Sequence, residues 1–190
     1  MSGCGKVSVQ DVLDFWFEES GTKAWFKKDA DFDARIVKQF ETTVRAHKKD
    51  LESREESAWE LTASGTLALI LCFDQFPRNM YRGSPRAFLF DGLARRVAVR
   101  ALEKHYDREI ADARRSFFYM PFMHSEKLAD QMLCVELTSQ RLENQITAHH
   151  ARQHCEVIRR FGRFPHRNQI LGRPNTKEEE DFMKEGGFAP

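Results

Sequence analysis

The sequence predicts an all-α protein of about eight helices, built as a repeat-like stack of helix pairs. Three observations predict it. Apolar residues recur at steps of three and four along most of the chain, the spacing of one helix face. No segment shows sustained period-two alternation or a hairpin turn between β-branched residues. Finally, Phe76-Pro77-Arg78-Asn79 is followed by Gly83 and Pro85, and Phe164-Pro165-His166-Arg167-Asn168 by Gly172 and Pro174 at the same offsets, with Pro121 midway. Proline and glycine are common punctuators, so this echo suggests a repeat without proving a duplication.

Taken in order, Ser8 and Asp11 form a capping-box-like start for a helix carrying Val12, Leu13, Phe15, Trp16 and Phe17, stopped near Gly21. Trp25-Phe26 marks a short second element. Asp29, Asp31 and Asp33 favour the N-terminus of the next helix, whose stripe is Phe32, Ile36, Phe40 and Val44. Lys48 to Glu56 reads as a solvated helix end and loop. Leu67 to Phe73 is apolar all round, which predicts a buried central helix running into a turn at Asp74 to Asn79. Ser84-Pro85 looks like the N-cap and first position of a helix whose buried face holds Phe90, Ala94, Val97 and Ala101, leaving Arg95, Arg96 and Arg100 to water. Tyr106 to Ser116 reads as a short helix and turn, and Phe117 to Pro121 as an aromatic turn. Ser125 caps a long helix with Leu128, Met132, Val135, Leu142 and Ile146 on one face. A last core helix holds Ala151, Cys155 and Ile158. Thr176 and Glu179 cap a short acidic C-terminal helix.

The 190 residues are expected to form one domain, with residues 1–7 a disordered tail and 186–190 flexible. Sixteen Phe and three Trp suggest an aromatic core between helices. Thirty basic and 29 acidic residues leave a net charge of +1, so only local patches can draw a charged partner. Cys4, Cys72, Cys134 and Cys155 lack paired spacing and read as reduced structural residues. The longest apolar run falls far short of the ~20 residues that cross a bilayer. With no visible targeting signal, a cytoplasmic protein is the expectation.

One stretch breaks the charge balance. Arg159 to Thr176 contains Arg159, Arg160, Arg163, Arg167, Arg173 and His166 and no acid. Stacking helix pairs would bring it beside two other connections. Asp74, Gln75, Arg78, Asn79, Tyr81 and Arg82 belong to the first; Tyr119, His124 and Glu126 to the second; Arg160, Arg163, His166, Arg167 and Asn168 to the third. The arginine fork suits carboxylate and phosphate, so a convergent set would bind an anion. Equally, the acids could pair with the arginines and stitch the connections together. His124 and His166 are the acid/base candidates if a reaction occurs. His150 and His154 have the spacing of a metal pair, but no general-base Glu stands between them and no metal site is expected. His124-Ser125-Glu126 cannot form a triad among neighbours. Phosphate-loop and dinucleotide motifs are absent, and no cofactor is expected. Nucleic acid is disfavoured because no reader motif accompanies the basic residues.

These same residues carry a family resemblance over roughly Val9 to Phe188. Val12-Leu13-Asp14-Phe15-Trp16-Phe17, Trp25-Phe26, Asp74 to Asn79, Tyr81-Arg82-Gly83, Tyr119 to Phe122, His124-Ser125-Glu126, Asp130-Gln131 and Arg160 to Asn168 resemble a widespread, mostly bacterial family, domain of unknown function 924. The resemblance implies a tetratricopeptide-like, right-handed stack of helix pairs and transfers no catalytic role. Departures are small: Leu71-Cys72-Phe73, Pro174-Asn175 and the charge-rich Lys48 to Glu56. The functional expectation is a small anionic ligand bound in an Arg/His/Asn-lined pocket. Its alternatives are an interaction module for an acidic peptide and, third, RNA binding.

Overall fold

The computed structural model describes residues 7–21, 25, 28–53 and 56–187, and among them no strand occurs. Residues 1–6 of the expected tail, most of the element around Trp25 and residues 54–55 and 188–190 lie outside that set. Two compact units emerge, one of Met1–Arg82 with Arg86–Ile110, the other of Gly83–Pro85 with Ala111–Pro190.

In the first unit, α1 spans Val9–Leu13 and widens into a π-helical coil over Asp14–Ser20. Ser8 and Asp11 form the expected capping box, and Gly21 ends the coil at φ +65°, where a side chain would be strained. Helix α2 (Ala30–Ser53) buries the anticipated stripe of Phe32, Ile36, Phe40 and Val44. It does not stop in the charged run. Leu51 supplies one more apolar step into the core, and the helix continues to Ser53. A 3-10 turn at Ala58–Leu61, capped by Ser57 and Glu60, precedes α3 (Ala63–Ile70). The two approach so closely that a Cβ on Gly65 would overlap the Trp59 carbonyl oxygen.

Helix α3 is wholly apolar and buried from Leu67 to Ile70, as its composition predicted. The turn expected after it is not a turn. The chain widens into one π coil at Leu71–Gln75 and goes on as α4 (Phe76–Met80). Proline inside an α-helix clashes with the preceding turn and lacks a donor. Here the wide coil, closed by the Phe76 N–H on the Leu71 carbonyl, admits Pro77 at the start of α4. Rings from three elements meet around Phe76: Phe40 at 4.8 Å, Trp16 at 5.7 Å and Phe15 at 6.3 Å. Pro85–Phe88 forms only a 3-10 turn, so α5 begins later than Ser84-Pro85 suggested, at Asp91, and ends at Glu103. Its expected face of Phe90, Ala94, Val97 and Ala101 is buried. Arg100, expected in water, pairs instead with the buried Glu60.

The second unit opens with short pieces, α6 (Asp112–Arg115), a 3-10 turn at Ser116–Phe118 and α7 (Met120–Met123). Helices α8 (Leu128–Arg141) and α9 (Gln145–Phe161) then pair side by side, and α10 (Lys177–Lys184) closes the chain. The single long helix expected through Ile146 is broken because Leu142 turns extended and Asn144 caps α9. Ser125 serves the Lys127 N–H, one residue before α8 begins.

The buried face of α8 is also rotated from expectation. Gln131, Cys134, Leu137 and Thr138 face inward, while Leu128 is 39% and Met132 56% exposed. Polar residues take the interior because the backbone answers them. The Gln131 amide donates to the carbonyls of Met123 and Ser125, both at 2.6 Å, and Thr138 donates to the Cys134 carbonyl at 2.7 Å. The expected box of Thr176 and Glu179 caps α10.

Candidate functional site

The first group of predicted site residues lies in the first unit and is tied to its own helices. The π coil places Asp74 and Gln75 in the interior, 2.5 Å apart through the Gln75 amide. Arg78 donates to the Asp74 carbonyl at 2.6 Å and forks onto Asp91, the first residue of α5, at 2.9 and 3.1 Å. Asn79 and Arg82 converge on Asp33 of α2, at 2.8 Å and at 2.8 and 2.9 Å. The Tyr81 hydroxyl donates to Glu41 at 2.9 Å. Its pKa rises, first because burial disfavours the phenolate and then because Glu41 accepts the proton's hydrogen bond. Both arginine forks are therefore spent on carboxylates of the same unit.

The second and third groups do meet, inside the second unit. Glu126 receives the Phe164 N–H at 2.8 Å and the Arg173 guanidinium at 2.8 and 3.0 Å. Burial works against that carboxylate, but the Arg173 fork and the Phe164 N–H outweigh it and lower its pKa. Arg173 also donates to Asn168 at 2.9 Å, and Asn168 reaches Asn175 at 2.8 Å. Gly162, left-handed at φ +69°, ends α9 and turns the chain into this loop.

Around Phe164 stand a guanidinium and two imidazoles. Arg167 lies over the ring at 4.4 Å, His166 is 5.5 Å away and His154 5.7 Å away. His124 is 6.4 Å beyond, from His154. His154 did not stand out in the sequence except as half of a metal pair. Burial pushes its pKa down to about 3, so it is neutral at physiological pH, donating from Nδ1 to the His150 carbonyl at 2.8 Å. No set of three or more metal-ligating side chains occurs among the described residues. Tyr119 is fully buried.

Arg160, in the last turn of α9, and Arg163, just past its end, face α10. Arg160 donates to Glu178 at 2.9 Å, and Arg163 forks onto Glu179 at 2.6 and 2.7 Å. The Arg163 fork, with the Thr176 N–H, overcomes burial and holds Glu179 down to about 2.

An opening of this unit lies elsewhere, at residues whose spacing had suggested core faces and not a site. An open cleft of about 850 Å³ runs between α8 and α9, lined by Ala129, Met132, Leu133, Val135 and Cys155, with Glu136, Arg152, Glu156 and Arg159 at its rim. Glu156 holds Arg159 at 2.7 Å, whereas Arg152 is exposed and meets the Ser139 hydroxyl at 3.4 Å. The usable signal was the spacing of Leu128, Met132 and Val135, which marks one face of α8 without telling which way it points.

Comparison with known proteins adds kinship and no activity. A profile described as "Bacterial protein of unknown function (DUF924)" matches residues 12–187. A solved structure, that of the protein of unknown function ATU0120 from Agrobacterium tumefaciens, is similar at 39% identity with a TM-score of 0.87. It covers 94% of this chain and 97% of its own. No protein of curated function matches the sequence. Among the described residues, no helix is long and apolar enough to cross a membrane.

Proposed function

We propose that this chain, which belongs to the DUF924 family, is a helical interaction module that takes a partner's amphipathic helix into the cleft between α8 and α9. The observation that carries this reading is the orientation of α8. It buries Gln131 and Thr138 and turns Met132 and Leu128 outward, with Met132 on the cleft wall. An apolar strip kept in solvent inside a concave, charge-rimmed surface is the form in which grooves receive helices. Methionine adapts to varied side chains. Arg152, which among the described residues meets the Ser139 hydroxyl and no carboxylate, suits an acid on the incoming helix. The α8–α9 pair, joined by so short a connection, is what a tetratricopeptide-like stack would repeat, and that finer description of the fold belongs to the same reading.

A displayed library of helical peptides, selected on the whole chain and depleted on Met132→Glu, tests it. The expected winners carry apolar residues at helical spacing and an acid, and lose binding to Arg152→Glu. Winners that bind both variants as well as they bind wild type would refute the reading.

The small-anion alternative has one observation in its favour, the grouping of Arg167, His166, His154 and His124 about Phe164. In that version Arg167 binds the anion while His124 and His166 exchange protons. Against it, Arg78, Arg82, Arg160 and Arg163 already hold internal carboxylates. A thermal-shift series with phosphate and citrate decides: a ligand at 100 times its Kd adds about 2.7 kcal/mol, which Arg167→Ala should abolish.

A further inference from the structure

The α10 segment is an acidic helix with one ring, Lys177-Glu178-Glu179-Glu180-Asp181-Phe182, and it rests on a basic surface with one ring. Glu178 meets Arg160, Glu179 meets the Arg163 fork, and Phe182 meets Phe161 at 4.9 Å. The Arg160 guanidinium stands 4.7 Å from the Phe161 ring and 5.5 Å from that of Phe182, so one cation serves both rings and a carboxylate. Behind them lies a buried floor of Val157, Ile158 and Phe164, against which Phe161 and Phe182 are only partly covered.

The seat is light. Eight residues form a helix that is marginal without its contacts, since isolated helices shorter than ~12–15 residues rarely persist in water. Apart from Glu179, its side chains are exposed or half-exposed. A gap of about 430 Å³ remains between it and the end of α9, lined by Arg160, Phe161, Arg163, Thr176, Glu178 and Glu179. An eight-residue helix with one buried side chain describes a segment that opens locally without unfolding its neighbours.

We propose that Arg160, Phe161 and Arg163 form a second binding surface, separate from the α8–α9 cleft, for an acidic helix bearing Glu-Glu-x-x-Phe on a partner protein. Helix α10 is its occupant in cis. A partner segment of the same chemistry takes the same two guanidiniums and the same ring, and releases α10. Tethering gives α10 an effective concentration in the millimolar range, so only a partner that is tight, abundant or multivalent displaces it.

The test uses the whole chain and a fluorescent synthetic peptide with the sequence of residues Pro174–Gly187. Phe182→Ala combined with Glu178→Lys weakens the cis occupant and leaves Glu179 and its capping box in place. This double variant is expected to bind the peptide roughly tenfold or more tighter than wild type does. Arg160→Glu added to it should abolish binding, whereas Met132→Glu should leave it unchanged, which separates this surface from the cleft. A peptide with Gln at both glutamate positions should not bind. Equal binding to wild type and double variant, or binding indifferent to Arg160→Glu, overturns the proposal. Equal competition by a single-stranded oligonucleotide overturns it in favour of plain polyanion binding.

Hydrogen exchange on the unmodified protein gives a reading independent of variant folding. Amides of Glu180 to Lys184 should exchange on the order of 100-fold faster than those of Arg152 to Ile158. Matching protection in the two segments would show that α10 does not open, and the proposal fails.

Discussion

Replacing Gln131 by methionine, which keeps the length of the side chain, should destabilise the second unit out of proportion to the change in shape. Gln131 is fully buried, and its amide nitrogen is the donor for the Met123 and Ser125 carbonyls, both at 2.6 Å, where α7 ends. The Phe122 carbonyl, 3.3 Å away, keeps a second donor in the Ser125 N–H and is little affected. Two carbonyls thus lose their donor, at about 1–2 kcal/mol each. Against this, the Gln131 carbonyl oxygen has no hydrogen-bond partner among the described residues, so removing it returns about 1 kcal/mol. The net loss is about 1–3 kcal/mol, or roughly 3–10 °C in Tm for a chain of this size. Urea unfolding followed by circular dichroism measures it. Gln131→Glu, which turns acceptors toward the same carbonyls, should cost more than methionine does. A methionine variant within about 0.3 kcal/mol of wild type would show that the inward placement of Gln131 does not rest on these bonds.

Three further outcomes follow from the contacts described. Gly65→Ala should cost about 2 kcal/mol or more, because its Cβ meets the Trp59 carbonyl oxygen, which backbone must move to relieve; a thermal midpoint equal to wild type would contradict this. Glu179, with a folded pKa near 2 against an ordinary value of 4.5, adds stability that is complete above about pH 4.5 and lost as pH falls toward 2. Its carboxylate is buried against the Arg163 fork, that contribution is on the order of 1–3 kcal/mol, and Glu179→Gln should flatten the acid limb of the pH profile measured at α10 by NMR. Met132→Lys should change stability by less than about 0.5 kcal/mol, since the side chain is mostly in water; a large loss would mean that α8 turns the other way.

Much of the helical framework was legible because local rules and burial agree there. Leu67 to Ile70 can only be interior, and Ser8 with Asp11 or Thr176 with Glu179 announce helix starts through bonds between near neighbours. Legibility failed where a local signal has two physical outcomes. Pro77 reads as a breaker unless the preceding coil widens, and nothing in Leu71 to Gln75 advertises that. Helix α8 offers two faces of similar weight, and the choice falls to Gln131 and Thr138 finding backbone partners. At the candidate site, the arginines stood out by their type and crowding. Their partners did not, because Asp33, Asp91 and Glu178 are remote in sequence from Arg82, Arg78 and Arg160, and only tertiary structure pairs them. All three groups were expected to converge; Glu126 accepts from the Phe164 N–H, whereas the arginines of the first group pair with Asp91 and Asp33 of their own unit. The cleft wall was invisible for the same reason as the face of α8.

The π coil at Leu71–Gln75 amounts to one residue inserted into an otherwise continuous helix from Ala63 to Met80. An insertion of that kind leaves a record in length as well as in shape. Every residue beyond it is turned by about 100° relative to a plain helix, so Arg78, Asn79 and Arg82 reach Asp91 and Asp33 only because the extra residue is there. Excising one residue from the coil would restore regular winding, drive the Pro77 ring into the turn before it and swing those three side chains off their carboxylates together. The position is therefore under a joint constraint, in which the count of residues, the proline and the two acids can change only as a set.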